Sequence, residues 1–194
     1  MTALHRGSRD ARCNRLGRLR RSFTQQCKGR SILSTGLAVL TALALGATLL
    51  SPPRPLLVWN ASSSSPVGLY AVERLGPPRA GGLVIAFAPG PARRLAAARR
   101  YIPFDVPLVK RVAAAAGDLV CARGRIVRIN GRSTAVRRAR DPAGRLMPAW
   151  SGCRRLGPGD LFLLSPGQLA FDGRYFGISK RADVIGAARL LWRA

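Results

Sequence analysis

Histidine is nearly missing from this sequence: His5 is the single one in 194 residues, and it lies in a polar N-terminal stretch. A Ser-His-Asp triad, an HExxH zinc site and most His-based acid/base schemes are therefore excluded. Acids are also scarce, with 8 Asp and Glu against 33 Lys and Arg, for a net charge of +25. That balance attracts anionic partners in general, so nucleic acid and acidic lipid surfaces are the first to weigh. Lysine is rare too, occurring only at positions 28, 110 and 180. The basic charge is arginine and comes with much Ala, Gly and Pro, a bias that a high-GC coding sequence produces. Charge alone identifies no partner, and no specific nucleic-acid partner is expected.

Long apolar runs are absent except for one. Residues 1–31 hold nine Lys or Arg and a single acid with no apolar face, and read as a basic, disordered cytoplasmic tail. ILSTGLAVLTALALGATLL, residues 32–50, then runs without charge and stops at SPPRP. As a helix it rises about 28 Å, close to the hydrocarbon thickness of a bilayer. Basic flanks stay cytoplasmic, which places residues 51 onward in a periplasm-like space beyond a single transmembrane anchor in the inner membrane. A cleaved signal peptide is the competing reading, but the basic region and the apolar run are both long for one. The basic tail beside membrane lipid could also draw in anionic headgroups, although a topology signal alone accounts for it.

After a linker and first strand over 51–59, residues 60–194 alternate short apolar runs with Gly, Pro and Asp. Strands are expected at 56–59, 68–72, 83–88, 107–113, 119–122, 125–130 and 161–164, with a last one inside 183–192. One short helix is expected at PARRLAAARR, residues 91–100, with Pro91 in its first turn and Pro103 after its end. Asn130-Gly131 suits a tight type I′ hairpin. The fold class is mainly β, an antiparallel domain behind one N-terminal helix.

The four cysteines separate by location. Cys13 and Cys27 fall in the cytoplasmic tail, where thiols stay reduced, whereas Cys121 and Cys153 fall in the exported domain, where a disulfide persists. Two buried free thiols are the alternative. A bridge would close a loop of about thirty residues and stabilise the domain by roughly 3 to 4 kcal/mol in the chain-entropy model.

Lys110 stands out because it lies in the apolar strand PLVKRVA, between Val109 and Arg111 and close to Leu108 and Val112. Burial lowers a lysine pKa, whereas arginine stays protonated. A neutral lysine can take the proton of a serine hydroxyl and return it to a leaving amine. A solvated strand lysine is the plain alternative on spacing alone.

Three stretches in order change that balance: NASSSSPVGLY at 60–70, the apolar KRV at 110–112 with the Gly117-Asp118 turn after it, and FDGRYFG at 171–177. They resemble the boxes of the type I signal peptidase clan, and most nearly its conjugative branch, the TraF-type transfer signal peptidases. The pattern N-x-S-x-S-x-P-x-G-L-Y is matched by Asn60, Ser62, Ser64, Pro66, Gly68, Leu69 and Tyr70. The resemblance extends through residues 143–164 and covers essentially the whole exported domain.

The resemblance implies Ser64 as nucleophile, two residues before Pro66, with Lys110 as general base. It implies an oxyanion site at the Ser64 N–H with Ser62, and a tight turn shaped by Pro66 and Gly68. Asp118, Asp172 and Arg174 are implied to support the site. No metal and no organic cofactor are implied. The chain departs from S-F-D-S-R-Y-F-G at Ala170 and Gly173, where both serines are missing. Ser165 or a water is then expected to orient Lys110 in place of the serine at 170.

The expected function is that of a membrane-anchored serine endopeptidase acting on an exported, pilin-like precursor of a conjugation or type IV secretion apparatus, by hydrolysis or with cyclisation. A general leader peptidase and a weakly active structural relative in a secretion apparatus are the alternatives.

Overall fold

A computed structural model describes residues 34–47, 55–74, 76 and 79–194. The chain falls into two units, Met1–Pro53 and Arg54–Ala194. In the first, residues 34–47 form helix α1, with exposed leucines at 37, 40, 43 and 45. The expected tail over 1–31 and both ends of the apolar run over 32–50 lie outside the described residues. Among the described residues no helix is long and apolar enough to cross a membrane.

Among its described residues the second unit has eleven strands and little helix. Short runs rich in Val, Ile and Leu separated by Gly and Pro favour strands over helices. They appear as β1 (Leu57–Asn60), β2 (Gly68–Glu73), β3 (Leu83–Ala86), β4 (Leu108–Ala114), β5 (Leu119–Arg123) and β6 (Ile126–Ile129). Then follow β7 (Arg132–Val136), β8 (Gly152–Arg155), β9 (Asp160–Leu164), β10 (Ser179–Lys180) and β11 (Val184–Arg193). One antiparallel sheet has the order β1-β2-β11-β3-β4-β9-β10, and a second has the order β7-β6-β5-β8. Asn130 and Gly131 both take positive φ, 49° and 81°, and Ile129 faces Arg132 across the two-residue hairpin they form.

Strands β7, β8 and β10 were not expected. Their sequences RSTAV, GCRR and SK are polar and mostly exposed, so no apolar alternation announces them. Pairing with β6, β5 and β9 defines them instead. Helix α2 (Gly90–Ala98) buries Ala92 and Ala96, one turn apart. A second helix, α3 (Gly173–Phe176), was also missed: it is four residues long and capped by the Asp172 side chain, which accepts from the Arg174 N–H.

Strand β9 is buried throughout, and Phe162 on it joins the core of the smaller sheet with Val120, Val127 and Leu156. Leu161 and Leu163 pack with Val84 and Val112, while Tyr70, Ile85 and Val109 form a third cluster. Cys121 on β5 lies directly opposite Cys153 on β8, and the two are joined in a disulfide.

Candidate active site

Asn60 ends β1 and organises the turn that follows. Its side-chain N–H groups donate to the carbonyls of Ser62, Ser65 and Pro66, at 2.9, 3.2 and 3.0 Å, and its oxygen accepts from the Ser62 N–H. Tyr70, fully buried on β2, donates its hydroxyl to the Pro66 carbonyl at 2.8 Å. Ser65, also buried, donates to the Val109 carbonyl on β4 at 2.9 Å. These bonds hold the serine run against the strand that carries Lys110. The sequence contains all three residues, but their roles depend on contacts that spacing does not show.

Lys110 is 2% exposed, and its Nζ donates to Ser64 Oγ at 2.9 Å. Burial lowers the Lys110 pKa from 10.5 to about 8, with Asp172 pulling it upward and Arg174 adding to the lowering. Ser62 Oγ donates to Ser64 Oγ at 3.0 Å and accepts from the Ser64 N–H at 3.3 Å. Ser62, Ser64, Lys110 and Ala170 all line one cleft of about 360 Å³.

Asp172 and Arg174 form a buried ion pair next to that cleft. The Arg174 guanidinium donates from Nε and Nη2 to the two carboxylate oxygens at 2.8 and 3.0 Å. Asp172 also accepts from the backbone N–H of Ser165, and Arg174 donates to the Ser165 carbonyl. Burial pushes the Asp172 carboxyl up, while the hydrogen bonds and charge of Arg174 pull the other way. The pair ties α3 to the end of β9 and places one negative charge where it acts on Lys110.

Other expected residues lie elsewhere. Pro66 and Gly68 shape the loop but do not line the cleft. A Cβ at Gly68 would stand 2.0 Å from the Trp192 carbonyl oxygen, so this glycine is needed for the close approach of β11. Asp118 supports the junction between the sheets: its carboxylate accepts from the Ala115 N–H and from Asn130 at the hairpin tip. The Ala115 bond first, then the Asn130 bond, lower its pKa. Ser165 does not replace the missing serine, since its buried Oγ has no hydrogen-bond partner among the described residues. Among them, Lys110 Nζ bonds only Ser64. Gly173 has a packing reason, because a Cβ there would meet the Leu163 carbonyl at 2.7 Å and the Phe162 ring at 2.9 Å.

The far wall of the cleft had no assigned role in the sequence. Tyr101, after α2, donates its hydroxyl to Asp141, and Arg145 donates to the same carboxylate from Nε and from its backbone N–H. Partial burial alone would raise Asp141, but the hydrogen bonds from Tyr101 and Arg145 outweigh it and bring its pKa to about 2. Among the described residues no group of His, Cys, Asp or Glu is gathered as a metal site.

The family model described as signal peptidase, peptidase S26, matches residues 29–193. This chain belongs to that family. The S26 match takes in the apolar run as well as the β unit. A plasmid transfer protein TraF of Escherichia coli is 34% identical over 148 residues, covering 69% of this chain and 82% of its own length. A probable conjugal transfer protein TraF of Sinorhizobium fredii is 31% identical over 179 residues, 84% of this chain and 89% of its own. A conjugal transfer protein TraF of Agrobacterium fabrum is 35% identical over 140 residues, 67% of this chain and 78% of its own. A signal peptidase I of Enterococcus faecalis, known from its crystal structure, aligns at 21% identity with a TM-score of 0.34 over 58% of this chain and 97% of its own. At that score the alignment carries no weight beside the S26 match.

Proposed function

We propose that this S26 chain is a membrane-anchored serine endopeptidase in which Ser64 is the nucleophile and Lys110 the general base. The observation that carries this reading is the 2.9 Å hydrogen bond between a buried lysine and a serine that lines a cleft. With a pKa of about 8, about one-tenth of Lys110 is neutral at pH 7, against far less for an ordinary lysine. Neutral Lys110 accepts the Ser64 proton as Oγ bonds to the scissile carbonyl carbon, and the carbonyl electron pair moves onto oxygen. The Ser64 N–H and the Ser62 hydroxyl, now bonded within the turn, turn to meet that oxyanion. Collapse breaks the C–N bond and the Lys110 proton leaves with the amine. Water or another amine then releases the acyl group, which gives a linear or a cyclic product.

An exported protein is the substrate class that the S26 family supports, and the likeness to TraF transfer proteins favours a pilin-like precursor of conjugal transfer as the proposed one. Attachment at the outer face of the inner membrane fits the apolar run over 32–50 and an exposed apolar edge of the β unit. There Trp59 on β1 and Trp192 on β11 both flank Leu69 in register, their rings are 5.6 Å apart, and Leu56, Leu57 and Leu191 are exposed around them. Such a patch suits the interface of a bilayer.

The test is co-expression of a tagged pilin precursor with the wild type, Ser64→Ala or Lys110→Arg, followed by intact mass of the product. Trimming by the wild type alone supports the dyad, and a further loss of one water shows cyclisation. Trimming by Lys110→Arg rules out Lys110 as base, because arginine cannot accept the proton.

A further inference from the structure

A second cavity, of about 660 Å³, lies beside the cleft. Arg138 lines both, and the 165–171 loop separates them: Ser165 and Gln168 line the second cavity, whereas Leu169 and Ala170 line the cleft. Five arginines line the second cavity, Arg111, Arg125, Arg137, Arg138 and Arg174, and no acidic residue does.

Most of that charge is uncompensated. Asp172 meets Arg174, but the guanidiniums of Arg111, Arg125 and Arg137 donate to the backbone carbonyls of Gly81, Arg137 and Gly124. The exposed Arg138 side chain has no partner among the described residues. Arg137 and Ser165 are 4% and 5% exposed, and Arg137 Nη1 and Ser165 Oγ are buried with no hydrogen-bond partner among the described residues. Both atoms lie below the accessible surface of the wall, so the groups open to an acceptor are the exposed Arg111, Arg125 and Arg138. The cavity is far larger than one carboxylate or phosphate requires and is of the size that holds several side chains.

We infer that this cavity is a subsite for an acidic segment of the substrate polypeptide, taking Asp or Glu side chains while neighbouring residues occupy the cleft at Ser64. The inference rests on the peptidase reading of that cleft. It makes the preferred precursor one with acidic residues close to its cleavage site, and it makes Arg138 a specificity-determining residue.

The test measures binding, without cleavage, to the full-length Ser64→Ala protein in detergent micelles. The probes are a fluorescein-labelled hexapeptide of alternating Glu and Ala and its counterpart with Gln in place of Glu, followed by anisotropy. On the same background, Arg138→Glu and Thr134→Glu place a negative charge at the cavity. Arg94→Glu makes the same charge change as Arg138→Glu at an exposed position of α2 that lines neither cavity. The Glu peptide is expected to bind at least tenfold more tightly than the Gln peptide, and Arg138→Glu and Thr134→Glu each to weaken it at least fivefold more than Arg94→Glu. Equal weakening by all three means general attraction to a basic protein and overturns the subsite. Selective binding by a protein whose wild type cuts nothing retains the subsite and removes the peptidase reading; cleavage with equal weakening does the reverse.

Discussion

The hydroxyl of Ser65 donates to the carbonyl of Val109 at 2.9 Å, which joins the residue after Ser64 to the residue before Lys110. One bond between neighbours thus sets the register of the two proposed catalytic side chains. Ser65→Ala is expected to lower kcat ten- to a hundredfold by loosening that register. The buried carbonyl left without its partner should also cost about 1–3 kcal/mol of stability. The pH dependence should keep its wild-type midpoint, because Lys110 stays buried. Cleavage rates across pH and urea unfolding of the variant check both effects.

Lys110 carries a stability cost as well as a proposed chemical role. Its pKa is about 8 in the folded chain against 10.5 when unperturbed, so the unfolded chain binds the proton more tightly. The penalty is therefore fully present below pH 8, fades as pH rises toward 10.5 and is absent above it. Lys110→Met should abolish cleavage and yet stabilise the β unit at pH 7, on the order of 1–3 kcal/mol. That gain should shrink by pH 10. Denaturant titrations at the two pH values test it, and a variant less stable than the wild type at pH 7 contradicts it.

Asp172 raises the Lys110 pKa, although less than burial lowers it. Asp172→Asn is therefore expected to move the rising limb of activity below pH 8. It also leaves Arg174 buried without its counter-charge, a loss of roughly 3–5 kcal/mol. A folded fraction whose limb stays at pH 8 would show that Asp172 does not act on Lys110.

The two missing serines are expected to behave oppositely. Ala170 lines the cleft with Lys110, so Ala170→Ser should be tolerated and should preserve or raise the rate by giving Nζ a second partner. Gly173→Ser drives a Cβ to 2.7 Å from the Leu163 carbonyl, and either β9 or α3 must shift. Its melting temperature should fall by several degrees at least. Comparing rate and melting of the two variants distinguishes a missing orienting group from a packing requirement.

Much of the β unit was legible because its inner strands carry their own signal. The apolar runs expected as strands at 83–88, 107–113 and 161–164 form β3, β4 and β9 within one or two residues of those bounds, and Asn130-Gly131 supplies the two positive φ angles expected of it. Strands β7, β8 and β10 were not legible, since their residues are polar and only partner strands define them. The pairing of Ser64 with Lys110 could be suggested by motif order, but not the bonds that hold it. Asn60 and Ser65 act through backbone carbonyls, which leave no trace in residue type. The arginine cavity was hidden for another reason: in a chain with 33 Lys and Arg, no single arginine stands out.

The central claim is that a buried, neutral lysine takes the proton of Ser64, and the most direct measurement is the pH dependence of precursor cleavage by the wild-type protein in membranes from pH 5 to 10. The rate should rise about tenfold per pH unit under single-turnover conditions and level off near pH 8, the lysine's pKa. A rate flat across that range, or one still climbing steeply at pH 10, would contradict it.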